Sequence, residues 1–326
     1  MKAVVLKDFG GVENLVIKDV PKPEVQSDEV LIKVKAIGID QIDVKTRQGG
    51  GMAERLKQEK PMILGWDVAG EIVHLGNDES EFKMGDAVFG TINFPGIGNS
   101  YAEYTTAPES QLALIPENIS FEEAAGATQS PLTAWQALID TGHVKKGDKV
   151  LIHGAAGGVG SFAVQIAKKL GAYVIATASG KDKDFVLGLG ADECIDYRTQ
   201  KFEEMVSDVD FILDSIGDDN FVRSLKVLKE DGTIVLLPTV KKDAAEKAAR
   251  EKGVKNYHYM LMHSSGKDMK EIAAMLAEGS MKSSVGKTYP FDKIQEAHEE
   301  MVSGHHTGKI AVSYTHLRAH ETPEHL

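Results

Sequence analysis

Cysteine is nearly absent. A single Cys194 in 326 residues excludes any disulfide within the chain and any multi-cysteine zinc lobe, and it fits a reducing compartment. Positive charge is scarce as well: 37 Lys and Arg stand against 49 Asp and Glu, a formal net charge of −12. Nucleic-acid binding needs a basic patch that displaces counterions, so no nucleic-acid partner is expected. Long apolar runs are missing too; none approaches the roughly 18 residues of a membrane span. The run Ala3–Leu6 near the start is too short for a signal-peptide core. These absences point to a soluble cytoplasmic protein whose partner is a small molecule. What is present is ordinary globular composition, 42% hydrophobic and 26% charged, at a length that suggests two domains.

The two parts of the chain differ in kind. Up to about Pro116 the apolar runs are short and broken by glycine: Ala3–Leu6, Val30–Ala36, Gly70–Val73, Asp86–Gly90 and Ala102–Thr106. Short strands between frequent turn signals predict a β-rich barrel or sandwich. From Lys149 the pattern becomes strand, glycine turn, helix, repeated. Strands are expected at Lys149–His153, Tyr173–Thr177, Val209–Asp214 and Thr233–Leu237, with helices at Gly158–Leu170 and Asp182–Leu189. Alternation of this type predicts a parallel, doubly wound sheet. Between the two regions Ser120 and Glu123 form a capping box that opens a helix, and Ser130-Pro131 opens another. Beyond Met260 two amphipathic helices, Asp268–Glu278 and Phe291–Val302, precede a short strand Lys309–Ala311.

Residues Ser313–Leu326 hold three of the eleven histidines and show neither helical nor strand period. Back-translated, the first of them resemble a sequencing adapter read in frame, so 313–326 is read as a non-native tail and the fold as ending near Ala311.

The turn Gly154-Ala155-Ala156-Gly157-Gly158-Val159-Gly160 follows an apolar strand and opens a helix. Gly157 would let backbone approach a pyrophosphate, Gly160 would let helix pack on strand, and the helix N-terminus offers N–H groups to the anion. Alanine at position 155 departs from the strict dinucleotide fingerprint, which has glycine there. The second strand ends at Ser179 with no acid and is followed by Lys181 and Lys183. A hydroxyl with lysines suits a 2′-phosphate, which favours NADPH over NADH.

The segments Asp43–Gly49, Gly65–Gly70, Gly85–Val88, Tyr101–Tyr104, Leu132–Ala134, the glycine turn, Leu189–Asp192, Ile195–Arg198 and Gly308–Ile310, in this order, resemble the medium-chain dehydrogenase/reductase superfamily. Within it they resemble the zinc-independent quinone oxidoreductase-like branch. The resemblance implies an α/β chain in which a Rossmann doubly wound parallel sheet domain is inserted in a GroES-like β-rich domain. The expected boundaries are 1–121 for the GroES-like part, 122–261 for the NADP-binding domain, and 262–312 for the return. It also implies Thr133 near the nicotinamide, Gly158 and Val159 at the pyrophosphate, and Ser179 and Lys183 at the 2′-phosphate. Tyr197 should lie by the adenine ribose, and Lys309 should reach the cofactor from the last strand.

Where zinc-dependent relatives carry ligands, this chain has Trp66 and Asp40, and no metal is expected. His305 and His306 are adjacent and suit a surface turn. Without a Lewis acid, hydride is better delivered to an acceptor that carries its own electron sink, a quinone or an α,β-unsaturated carbonyl. Tyr101 is the candidate donor to the developing oxyanion, with Asp40 as a second candidate catalytic residue. Asp43 and Arg47 are expected to form a structural ion pair. Two alternatives stay open: a reductase dedicated to one enoyl or haloacrylate substrate, and a nucleotide-binding sensor or structural protein without turnover. A strand edge near Asn256–Met260 suggests a homodimer.

Overall fold

A computed structural model describes residues 1–238, 242–304 and 307–314. The chain divides into two compact units: Met1–Gln129 together with the segment from His263 onward, and Ser130–Met262.

The first unit contains an antiparallel pair, β1 (Lys2–Leu6) and β2 (Leu15–Asp19), and a larger sheet. That sheet is built from β3 (Glu29–Ile39), β4 (Asp67–Leu75), β5 (Ala87–Thr91), β6 (Tyr104–Pro108) and β7 (Ala113–Leu114). Two late strands, β14 (Val285–Pro290) and β15 (Lys309–Ser313), complete it. The order is β14-β15-β3-β4-β5-β7, with β6 also paired to β3. Val30, Ile32 and Val34 alternate inward along the first half of β3, as a half-buried strand requires. From Ala36 to Ile39 every residue is buried, because β15 pairs there and helix Phe121–Gly126 covers β3.

That helix corrects an expected boundary. Its Ser120–Glu123 capping box forms as read, yet the helix packs on β3, β4 and β15 and so belongs to the first unit. Its small buried face, Ala124, Ala125 and Gly126, allows this closeness; a Cβ at Gly126 would lie 2.8 Å from Val285 Cγ2. The end of the fold is also later than expected. Ser313 pairs with Ala36 and donates to Glu122 Oε1 at 2.7 Å, while the buried Tyr314 ring sits 4.3 Å from that of Phe291. Strand pairing uses backbone groups that every residue carries, so the ladder continues past Ala311. The remainder of the expected tail, 315–326, and the His305-His306 pair lie outside the described residues.

The second unit is a wholly parallel sheet of β8 (Lys149–Ile152), β9 (Tyr173–Ala178), β10 (Glu193–Asp196), β11 (Val209–Asp214), β12 (Leu228–Leu236) and β13 (Asn256–Tyr259). The order β10-β9-β8-β11-β12-β13 starts in the middle, runs to one edge, then reverses between β8 and β11. Ligands of open α/β sheets bind at the carboxyl ends of the strands at such a reversal. The near-continuous burial of β9 and β11 is what helices on both faces demand. Among the described residues, no helix is long and apolar enough to cross a membrane.

Just beyond β8, His153 is buried between Thr177 Oγ1 and Ser224 Oγ, each 3.0 Å from a ring nitrogen. Burial lowers its pKa from 6.5 to about 4. A depressed histidine contributes stability that is complete above 6.5 and lost as pH falls toward 4. Thermal melts should therefore show a falling midpoint between pH 6.5 and 4, with a shallower fall in His153→Gln. Parallel acid curves for the two proteins would refute this role.

Candidate active site

The glycine turn leaves β8 at its carboxyl end. Gly154 adopts φ +65°, the left-handed conformation the tight turn needs, so the glycine requirement falls one residue before Ala155. Ala155 is buried and donates its N–H to Thr177 O at 3.0 Å. Gly157 caps the helix Gly158–Lys169. A Cβ at Gly160 would lie 2.3 Å from Gly154 O and 2.7 Å from Ala155 Cα, so only glycine allows this contact between helix and turn. Gly157 is exposed, and a Cβ there would meet only Gly154 O, at 3.2 Å. Gly157 thus offers an open backbone surface beside the first-turn N–H groups of Gly158 and Val159, a fit for a pyrophosphate.

Ser179 and Tyr197 each follow one residue past the paired Ala178 and Asp196, which brings them to the same end of neighbouring strands. Ser179 is buried and its hydroxyl donates to Asp182 Oδ2, a partner that sequence reading missed. Lys183 is exposed at the start of helix Lys183–Gly188. Tyr197 is 57% exposed, with the Arg198 guanidinium 5.9 Å from its ring centroid. Thr133 is buried in helix Gln129–Trp135.

In the first unit, strand pairing gathers a buried acidic cluster. β15 pairs with β3 through Ile310 and Ile39, which sets Lys309 beside Asp40; β4, which begins at Asp67, pairs with β3 on its other side. Lys309 donates to Asp40 and lies 4.0 Å from Asp67 Oδ2. Burial opposes its charge, but Asp40 and Asp67 outweigh burial and the Lys309 pKa is raised. Thr91 Oγ1 donates to Asp67 Oδ1 at 3.1 Å. Burial, then the Asp40 charge, push Asp67 well above the usual carboxylate range, with Lys309 partly offsetting them. Asp43, on helix Gln41–Arg47, accepts the Asp40 N–H at 2.8 Å. Burial and the Asp40 charge raise its pKa from 3.8 to about 8, partly opposed by Lys309 and Tyr101.

Asp43 and Arg47 depart from expectation here, and Tyr101 and Lys309 take the following places. Tyr101 is fully buried, with its hydroxyl 3.0 Å from His298 Nε2, and burial raises its pKa; its ring packs in the core instead of facing a substrate. Lys309, expected at the cofactor, has its ammonium among the acids of its own unit. Asp43 and Arg47 do not pair: Arg47 Nε donates to His298 Nδ1 at 3.3 Å and its Nη1 donates to Gly10 O. Helix Gln41–Arg47 turns Asp43 inward to cap its own N-terminus, a local demand that competes with an i,i+4 pair. Asp40 is placed with Lys309, and a carboxylate held by an ammonium accepts hydrogen bonds. Trp66 is buried, and its indole Nε1 donates to Gly96 O at 3.0 Å.

Comparison with known proteins agrees with both units. The alcohol dehydrogenase GroES-like domain model matches residues 26–117, and the zinc-binding dehydrogenase model matches residues 189–312. The chain is 34% identical to the NADPH-dependent alkenal/one oxidoreductase of Arabidopsis thaliana over 96% of its own length and 79% of that protein. It is 32% identical to the quinone oxidoreductase of Homo sapiens, over 95% and 97%. The solved quinone oxidoreductase of Coxiella burnetii superposes with a TM-score of 0.90 at 36% identity, covering 96% of this chain and 99% of that one. The chain belongs to the medium-chain dehydrogenase/reductase superfamily, in its quinone oxidoreductase-like branch, and is an oxidoreductase.

Proposed function

We propose that the protein is an NADPH-dependent reductase of quinones or α,β-unsaturated carbonyls that works without a metal ion. The observation that carries the reading is the glycine cradle at the carboxyl end of β8, open at Gly157 and tight at Gly160, beside the sheet reversal. When bound there, the nicotinamide cofactor would supply hydride. The names of the Arabidopsis and human relatives support both acceptor classes. Metal independence is supported by the residues themselves. An indole occupies position 66, and the cation among the acids is the Lys309 ammonium.

Ser179, Lys183 and Arg198 would receive the 2′-phosphate of NADPH, with Tyr197 beside the adenine ribose. Asp182 works against this, because its carboxylate shares the Ser179 hydroxyl. The expected result is decay of NADPH absorbance with a 2-alkenal or a naphthoquinone, and a much slower decay with NADH. The double variant Ser179→Ala/Lys183→Ala should lose about tenfold in kcat/KM for NADPH, or ~1.4 kcal/mol, with little change for NADH. Saturable NADPH binding with no turnover on either acceptor would defeat the reductase reading.

A further inference from the structure

We propose that Asp182 makes NADPH binding proton-linked: the 2′-phosphate binds with one proton on it, which it donates to the Asp182 carboxylate. The inference rests on the NADPH reading above and concerns the second unit alone.

One hydroxyl at the end of β9 has two claimants. Ser179 is buried, and its hydroxyl already donates to Asp182 Oδ2. A serine hydroxyl has a single proton to give. A phosphate oxygen that takes this hydrogen bond displaces Asp182 and leaves two anionic acceptors sharing one donor. The backbone of Asp182 is held in place. Its N–H donates to Ser179 O at 2.9 Å, which closes the turn, and helix Lys183–Gly188 begins at the next residue. Gly180, inside the turn, is pressed against the neighbouring strand: a Cβ there would lie 2.7 Å from Asp196 Oδ2.

The surrounding charge is already matched before a phosphate arrives. Lys181, Lys183 and Asp184 flank Asp182 along its own segment, and the end of β10 adds Asp196 and Arg198. Three cations thus stand against three acids. The same charges surround the Cys194 thiol: burial raises its pKa, Lys183 opposes the rise, and Asp196 and Asp182 add to it. Asp196 accepts the Arg198 N–H at 3.0 Å. From the β8 side, His153 meets Thr177 Oγ1 at 3.0 Å, and burial lowers its pKa to about 4, so its ring is neutral above that pH. No spare positive charge is left for a dianion. A phosphate monoester loses its second proton at about pH 6. The monoanion keeps a P–O–H group, which supplies the missing donor. Ser179 then donates to one phosphate oxygen and the P–O–H donates to Asp182, so one proton settles both the charge and the hydrogen-bond count.

The sign of the pH dependence separates this site from an ordinary cationic one. A site with unmatched lysines prefers the dianion, and its affinity rises as pH passes 6. Here the bound cofactor holds a proton that free NADPH has lost, so affinity is complete below about pH 6 and falls about tenfold per pH unit above it.

Fluorescence titration of the full chain with NADPH and NADH from pH 6 to 8 tests this, with calorimetry at pH 7.5 in two buffers of different ionisation enthalpy. The Kd for NADPH should rise about tenfold between pH 6.5 and 7.5, with uptake of about one proton, while NADH stays flat. Asp182→Asn is isosteric and its amide can donate to the dianion directly. This variant should lose the pH dependence and bind NADPH about tenfold more tightly at pH 7.5, with the thermal midpoint held. A wild-type Kd for NADPH that is flat or falls with pH would overturn the proposal, as would a slope that survives in Asp182→Asn. No saturable NADPH binding anywhere in this range would instead place the failure in the NADPH reading, and the proposal would fall with it.

Discussion

Gly160→Val is expected to weaken NADPH binding by about 100-fold or more. A Cβ at this position would lie 2.3 Å from Gly154 O, 2.7 Å from Ala155 Cα and 2.8 Å from Gly154 C. All three are backbone atoms of the turn, so no side chain can swing aside. Helix Gly158–Lys169 would have to lift from β8, at a cost of about 1–3 kcal/mol in overpacking, and its N–H groups would leave the place where a pyrophosphate must sit. A rise in Kd of about 100-fold or more, ~2.7 kcal/mol, should be seen by fluorescence titration, with a lower thermal midpoint. Gly157→Ala makes the informative contrast. Its Cβ would face open space apart from Gly154 O at 3.2 Å, so binding should weaken while the thermal midpoint holds. Wild-type affinity in Gly160→Val would remove the turn from the cofactor site.

Lys309→Met should be the most destabilising single change in the first unit. The ammonium sits fully buried against Asp40 and 4.0 Å from Asp67, and methionine fills similar space without the charge. Breaking a buried ion pair from one side costs about 3–5 kcal/mol, because the remaining charge is left uncompensated. The loss should grow with pH. Asp43 already has its pKa raised from 3.8 to about 8, and a raised carboxyl contributes stability that is complete below 3.8 and lost as pH climbs to about 8. Removing Lys309, which favours the ionised acids, raises the carboxyl pKa values further and extends that decline. Denaturant unfolding at pH 5 and pH 8 should show the larger deficit at pH 8. Equal deficits would mean that the lysine acts through packing alone.

Much of the architecture was legible in local pattern. The inward alternation of Val30, Ile32 and Val34, the apolar run of β8, the Ser120–Glu123 cap and the strand-turn-helix order around Gly154–Gly160 are short-range features. A strand or helix is chosen by which residues fall on one face, and this is written within a few positions of the chain. The glycine turn was legible for the same reason, although the residue that needs the left-handed conformation is Gly154.

The acidic cluster was not legible in this way. Asp40 and Lys309 are 269 positions apart and meet because β15 aligns with β3. One signal was available: a lysine that opens a buried strand needs an acid near it. Which acid it meets depends on register. Tyr101 reads in sequence as a polar tip leading into a strand, yet packing buries the whole ring and gives the hydroxyl to His298, 197 positions away. Likewise Ser313 and Tyr314 look like tail until the β3 backbone and the Phe291 ring accept them. By itself the sequence determined which stretches form strands and helices and that a glycine turn lies between β8 and its helix, because those preferences are local. Only the tertiary structure decided which charged groups share an interior, because burial converts distant residues into neighbours whose charges must then balance.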